Sequence, residues 1–294
     1  MSKAATPQKV VLVYRDDLAS VGVIRDQIKH FFADAHWPCH VMTLEEVLQT
    51  AENKLPEAAL LIILGGDGTF LMAARRFLSQ QCPVVGVNAG NLGFLTRIET
   101  HALDKALEAI IAGTTGLESR IVLETNQSSN LVAINDIVFK NTHPGQMTQL
   151  KVFDHNELIT TYDADGLIIA TPTGSTAYNL SAGGPIIAPE TPVIALTPIC
   201  PHSLSAKPII LPTTAQLWIE ASQDNSHALL MAMDGETVCE LSPGQTVTIT
   251  VSPQKLSLVC FNTQDESFYA LLKRKLSWAD NPRKGRRTTS PRLR

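Results

Sequence analysis

Two glycine-rich segments hold the residues of this chain best suited to chemistry. The first is Leu64-Gly65-Gly66-Asp67-Gly68-Thr69. The second starts at Asp165-Gly166 and continues through Thr171-Pro172-Thr173-Gly174-Ser175-Thr176-Ala177-Tyr178 to Ser181-Ala182-Gly183-Gly184-Pro185. Both combine accessible backbone N–H groups with hydroxyls and carboxylates. That mixture suits a polyphosphate, a sugar hydroxyl and a metal ion better than it suits a packed core.

In the first segment, Gly66 and Gly68 let a ligand approach the backbone, and a following helix would turn its positive end toward it. The loop has no Walker lysine, and Leu71 stands where the third glycine of GxGxxG would fall. Asp67 is the unusual member. A carboxylate 4 Å from a phosphate costs roughly 4 kcal/mol at an effective dielectric of 20. Either Mg²⁺ lies between them, or Asp67 takes a proton from an attacking hydroxyl during phosphoryl transfer. The plainer alternative is a tight turn in which Asp67 caps the helix.

The second segment offers the hydroxyls of Thr173, Ser175, Thr176 and Ser181, with Gly174, Gly183 and Gly184 for close approach. Tyr178 adds a stacking face with a polar tip. So many small polar residues add little to packing, so the segment reads as a binding loop rather than a decorated turn. Asn135-Asp136 interrupts the apolar run 131–139, and an amide beside a carboxylate suits a ribose diol. A bulge or hairpin end is the alternative there. Asp234-Gly235 and Asp165-Gly166 read as turns when taken alone. His202 and Lys207 flank Ser203 and Ser205 without the logic of a hydrolase triad. Neither loop has a lysine or arginine beside it to serve as a finger, so Mg²⁺ is expected to carry much of the charge neutralisation.

The elements that must position these residues follow from periodicity. Residues 10–14, 58–64 and 83–87 are apolar runs of the kind buried on both faces of a parallel sheet. Helical spacing follows at Val21, Ile24, Ile28, Phe31 and Phe32, again over 69–78, and at Leu103, Ala106, Leu107, Ile110 and Ile111, with Thr100 as the expected cap. Alternating strands and helices imply βαβ units. After Gly116 the pattern changes to short strands with turn signals, including 131–139, 149–153, 158–161, 167–170, 193–197, 216–221, 228–233, 247–251 and 256–261. Asp154-His155-Asn156-Glu157 is a hairpin turn, and a short helix is expected near 176–182. The expected organisation is an α/β domain with a parallel sheet over residues 1–118 and an all-β, sandwich-like domain over 119–267. A strand-plus-helix element at 268–280 packs back on the body, and 281–294 form a basic, disordered tail.

Composition narrows the function classes. With 294 residues, 44% of them hydrophobic, the chain can bury a sizeable core. No run approaches a membrane span, and the polar start lacks a signal-peptide core. Net charge is −4. Six basic residues and no acid follow Asp280, which leaves the body strongly acidic and unlike a nucleic-acid binder. Five scattered cysteines lack metal-ligand spacing and fit a reducing, cytoplasmic setting.

Taken together, the chain resembles the NAD kinase family. The resemblance runs through Gly65-Gly66-Asp67-Gly68, Asn91-Leu92-Gly93-Phe94, Asn135-Asp136, Asp165-Gly166, the 171–185 segment, and His202-Ser203-Leu204-Ser205-Ala206-Lys207-Pro208. It implies phosphoryl transfer from ATP to the 2′-hydroxyl of the adenosine ribose of NAD, assisted by Mg²⁺. It makes Asp67 the activating carboxylate and has Gly66 and Gly68 admit the phosphates. By the same resemblance, Asn135 and Asp136 hold the ribose. Phe94, Thr176, Ala177 and Tyr178 line the nucleotide pocket, Thr173 and Ser181 add hydrogen bonds, and Asp234 joins the cofactor site. A homodimer or homotetramer is implied, with Asp165 and Tyr178 reaching toward a neighbour's site. The chain departs from the commoner pattern at Asp136, often Glu, and at Lys207, more often Arg. A kinase for a lipid or sugar, and a non-catalytic nucleotide sensor, are the competing readings. The missing basic amphipathic helix argues against the lipid, the 171–185 segment argues for a dinucleotide, and Asp67 argues against the sensor.

Overall fold

The computed structural model describes residues 8–16, 19–90, 92–143, 146–261 and 267–276. The basic tail and Asn91 therefore lie outside the described residues. The first half runs β1 (Val10–Tyr14), α1 (Ala19–Asp34), β2 (Cys39–Thr43), α2 (Leu44–Gln49), β3 (Leu60–Gly65), α3 (Asp67–Phe77), β4 (Pro83–Asn88) and α4 (Leu103–Ala112). The strands pair in parallel, in the order β2-β1-β3-β4. Every residue of β1 and β3 is buried, because helices cover both faces. Val11, Val13 and Ile63 pack with Phe70, Ala74 and Phe77 on one face. Leu12, Ile62 and Leu64 pack with Ile28, Phe32 and Leu107 on the other.

The second half contains β5 (Gly116–Thr125), β6 (Ser128–Ala133), β7 (Asp136–Asn141), β8 (Thr148–Asp154), β9 (Glu157–Ala164) and β10 (Gly166–Ala170). After the short α5 (Tyr178–Ser181) come β11 (Val193–Ile199), β12 (Ile209–Pro212), β13 (Leu217–Ala221), β14 (Leu229–Met233), β15 (Glu236–Leu241) and β16 (Thr246–Cys260), then α6 (Phe268–Leu276). Six of these strands form an antiparallel sheet, β12-β11-β10-β7-β14-β15. It packs on a second layer containing β16, β13, β8 and β9, across a core that includes Phe139, Ile169, Leu217, Ile219, Met231 and Ile249. The architecture is an α/β half with a parallel sheet joined to an antiparallel β sandwich.

Several local expectations change. The run 131–139 is two strands in two sheets, because the chain breaks at Ile134-Asn135 and crosses from β6 to β7. Residues 247–251 and 256–261 belong largely to one strand, β16, whose register shifts between Val251 and Lys255. Its first half pairs antiparallel with β13 and its second half pairs parallel with β4, so one mixed sheet runs through both halves. Thr100 does not cap α4; it opens a short 3-10 turn, 100–102, that leads into the helix without a side-chain cap. The 3-10 turn Gly174–Thr176 and α5 make up the short helix near 176–182. Among the described residues the C-terminal element is a helix without a strand. Helix α2 escaped sequence reading although Thr43 and Glu46 form a reciprocal capping box, since six residues carry too little periodicity.

Candidate active site

Helix α3 begins at the Gly-Gly-Asp-Gly loop because β3 ends in Gly65 and Gly66 serves as the N-cap without a side chain. The free N–H groups of that first turn face a cavity of about 260 Å³ lined by Gly65, Gly66, Gly68, Thr69, Arg15, Val21, Ala89 and Gly90. Backbone donors at a helix N-terminus, with an arginine beside them, form a site for an anion such as a phosphate chain.

Asp67 is the first residue of this helix and does not cap it. Its carboxylate reaches across to the loop after β4. Oδ2 accepts from the N–H of Phe94 at 2.8 Å. Oδ1 accepts from the N–H groups of Leu95 and Thr96 and from the Thr96 hydroxyl, each at 3.1 Å. Gly93 makes this seat possible, since a Cβ there would overlap Oδ1. Three donors occupy Oδ1, whereas Oδ2 has one backbone donor and the Lys275 ammonium at 3.9 Å. Asp67 is thus held in one orientation, with Oδ2 the oxygen that retains capacity to accept.

A second cavity, of about 470 Å³, opens on the six-stranded sheet. Asn135, Asp136, Ala177, Tyr178 and Asp234 line it, with Val138, Lys140 and Ala232. The Lys140 ammonium lies 4.4 Å from the Tyr178 ring centroid. The crossing from β6 to β7 places Asn135 and Asp136 here, and Asp234 holds that crossing. Its buried carboxylate accepts from the N–H groups of Ile134, Asn135 and Asp136 at 2.9, 2.7 and 3.1 Å. Burial pushes the Asp234 carboxyl up, while those amides and Arg75 pull it down. Asp136 is 5% exposed. Burial first, then the Asp234 charge, raises its carboxyl to about 7, with Lys140 partly opposing.

The hydroxyl-rich segment turns out to be largely self-satisfied. Thr171 Oγ1 donates to Ile134 O at 2.6 Å and accepts from Gly174 N–H. Ser175 Oγ donates to Pro172 O and accepts from Ile187 N–H. Asn179, fully buried, donates to Ser175 O and Pro185 O and accepts from the Thr197 hydroxyl. A Cβ on Gly174 would overlap the Asn135 carbonyl, so this glycine seals the corner against the β6–β7 crossing. The small polar residues therefore do pack, by hydrogen bonding back to the chain's own backbone. Thr173, Thr176, Ser181 and Asp165 do not line either cavity. Thr173 is buried at the start of the 3-10 turn, and Thr176 Oγ1 donates back to Thr173 O. Ser181 and Asp165 are exposed. Phe94 is half-buried beside Asp67, under Phe268 and Lys275 of α6, away from the larger cavity.

Three residues that sequence reading did not single out complete the picture. Arg15 lines the glycine cavity, Lys140 lines the larger one, and Lys275 stands beside Asp67. The expectation that the loops lack basic partners is corrected here. Folding brings these cations in from β7 and from opposite ends of the chain, where local spacing gives no signal.

Two family models match the chain, ATP-NAD kinase N-terminal domain over residues 16–115 and ATP-NAD kinase C-terminal domain over 134–261. An NAD kinase of Pseudomonas putida is 37% identical over 271 residues, covering 86% of this chain and 89% of that protein.

The chain belongs to the NAD kinase family.

An NAD kinase of Magnetococcus marinus is 40% identical over 227 residues, covering 75% of this chain and 74% of its own length. Among solved structures, yeast NADH kinase complexed with NADH superposes with a TM-score of 0.79 at 25% identity, covering 98% of this chain and 90% of that one. An NAD kinase from Archaeoglobus fulgidus in complex with ATP has the same fold, with a TM-score of 0.74 at 23% identity over 88% of this chain and 95% of that one. Membership of this NAD kinase family makes the chain a kinase. Among the described residues, no helix is long and apolar enough to cross a membrane.

Proposed function

We propose that this NAD kinase family member transfers the γ-phosphoryl group of ATP to the 2′-hydroxyl of the adenosine ribose of NAD, giving NADP, with Asp67 as general base. The observation that carries the reading is the seat of Asp67. Four hydrogen bonds orient the carboxylate and leave Oδ2 able to accept a proton. The 2′-hydroxyl gives its proton to Oδ2, its oxygen attacks the γ-phosphorus, and the bond to the β-phosphate bridging oxygen breaks to release ADP. The glycine cavity and the first turn of α3 receive the phosphates of the donor. Asn135, Asp136 and Asp234 fix the dinucleotide through its ribose, with Ala177 and Tyr178 beside it; Tyr178 offers a base its ring face. Thr173, Thr176 and Ser181 contribute at the edge of that site, and Asp165 and Tyr178 reach toward a neighbouring subunit's site in a homodimer or homotetramer.

Magnesium fits only as an ion carried in by the nucleotide. Among the described residues no cluster of three or more His, Cys, Asp or Glu could cage it, and the loop supplies one carboxylate, Asp67. Bound by triphosphate oxygens, it would spread the charge of the β- and γ-phosphates.

The test is an end-point assay with NAD, ATP and Mg²⁺, read by an NADP-specific dehydrogenase. Asp67→Asn should keep its circular dichroism and lose at least ~10²-fold in kcat. An unchanged rate sinks the general-base assignment. Absence of NADP from the wild type, with NADH and polyphosphate also tried, sinks the reaction itself.

A further inference from the structure

Helix α6 is tied down on the loop that seats Asp67. Leu271 and Leu272 are buried, and Arg274 pairs with Glu99. The Phe268 ring packs 6.5 Å from the Phe94 ring. The last turn of the helix then puts the Lys275 ammonium 4.7 Å from the Phe94 ring centroid and 3.9 Å from Asp67 Oδ2. This ammonium faces the one carboxylate oxygen that Proposed function assigns to proton transfer. The Lys275 side chain keeps 29% of its surface exposed, on an exposed turn of the helix, so it is not locked in place as a buried structural ion.

We propose that Lys275 is a catalytic cation of the phosphoryl-transfer step, delivered to the site by α6. Before the donor binds, Lys275 rests on Asp67 and the face of Phe94. When the γ-phosphate enters beside Asp67, the ammonium turns to its equatorial oxygens. It then neutralises the charge that would otherwise face the carboxylate and frees Oδ2 for the 2′-hydroxyl. A lysine suits this exchange because a point charge on a flexible four-carbon stem can change partners without a fixed fork geometry. The aromatic face and the carboxylate together hold it close to the phosphate path without coordinating it fully. The covalent step is the one already written; Lys275 forms and breaks no covalent bond.

The proposal rests on the general-base reading of Asp67, so the experiment separates the two. Lys275→Met, Lys275→Arg, Asp67→Asn and the Lys275→Met/Asp67→Asn double variant are assayed in the full chain, with NAD affinity measured by titration calorimetry. Lys275→Met should lower kcat by ~10-fold or more and raise KM for ATP, leaving the Kd for NAD within twofold of wild type. Lys275→Arg should recover much of the loss, because it keeps the charge. In the double variant the Lys275→Met effect should shrink, since no carboxylate then remains to be separated from the phosphate. A wild-type rate in Lys275→Met overturns the proposal, as does a loss that Lys275→Arg fails to relieve and that comes with weakened NAD binding, the mark of a merely structural helix. If Asp67→Asn is fully active, the general-base reading fails by itself. A Lys275→Met loss of kcat with its Arg rescue would then still assign the cation to the donor phosphate.

Discussion

At the residue scale, the most informative side chain after Asp67 is Asp136. Its carboxyl is raised to about 7 by burial and by the Asp234 charge. In an unfolded chain it would titrate near the ordinary aspartate value, about 3.9. The folded state therefore holds a proton that the unfolded state gives up. That stabilisation is fully present below about pH 4 and is lost as pH rises through about 7. The amount is on the order of 4 kcal/mol at most. We expect the melting temperature of Asp136→Asn to gain on that of wild type from pH 5 to about pH 7 and to level off by pH 8, where the wild type must carry a buried charge. NAD affinity should behave in the opposite sense, because a ribose hydroxyl prefers an ionised acceptor. It should tighten in wild type as pH crosses 7 and stay flat in the variant. A wild type whose NAD affinity does not change between pH 6 and 8 would remove Asp136 from that role. The Asn135-Asp136 pair was legible because a polar pair inside an apolar run must find partners. Its pairing with Asp234, which follows the neighbouring strand β14 of the same sheet but lies 98 residues on in the chain, was not, because nothing local links them.

At the scale of elements, α3 joins the two cavities. Asp67 starts the helix and Arg75 lies eight residues on, roughly 12 Å along the axis at 1.5 Å per residue. The Arg75 side chain is only 8% exposed and donates to Met233 O at 3.0 Å and to Glu236 Oε2 at 2.7 Å. It also stands 4.0 Å from Asp234, whose carboxylate in turn fixes residues 134–136. A displacement of α3 is thereby felt at the wall of the larger cavity. Arg75→Met should cost ~3–5 kcal/mol, since it leaves Asp234 buried without its cation. It should also raise KM for NAD more than KM for ATP, because the 233–236 turn borders the larger cavity. Urea midpoints and the two KM values check this; a destabilised variant with an unchanged KM for NAD would confine Arg75 to stability. Strands β1, β3 and β4 were readable because burial on both faces leaves continuous apolar runs, and α1, α3 and α4 from their helical spacing, whereas the half-buried β2 and the short α2 carry neither signal. Within 171–185 the sequence did not reveal which hydroxyls hold the segment together, since spacing does not tell a hydrogen bond to a ligand from one back to the chain. Ser175 and Thr171 make the second kind.

At the scale of the whole molecule, β16 decides how the two halves behave. Leu217, Ile219 and their neighbours on β13 pair with its first half, at Val247 and Ile249. Pro83 and Val84 of β4 pair with its second half, at Ser257 and Leu258. Leu256 and Leu258 belong to the same core as Val11, Ile63 and Phe77. The α/β half therefore completes its sheet and part of its core with residues from near the end of the sandwich. Residues 1–118 alone would leave the β4 edge unpaired and that core open, so this fragment should not fold by itself and should aggregate. In the intact chain the halves should unfold as one unit. Trp37 reports on the α/β half, where it stacks on Phe32, and Trp218 reports on β13. Two variants retaining only one of these tryptophans, with the others, including Trp278, changed to Phe, should show coincident urea transitions by fluorescence. Separated midpoints would mean that β16 peels from β4 before the sandwich opens. The α/β half would then be the weaker unit, and the Asp67 seat on the loop after β4 would be lost first.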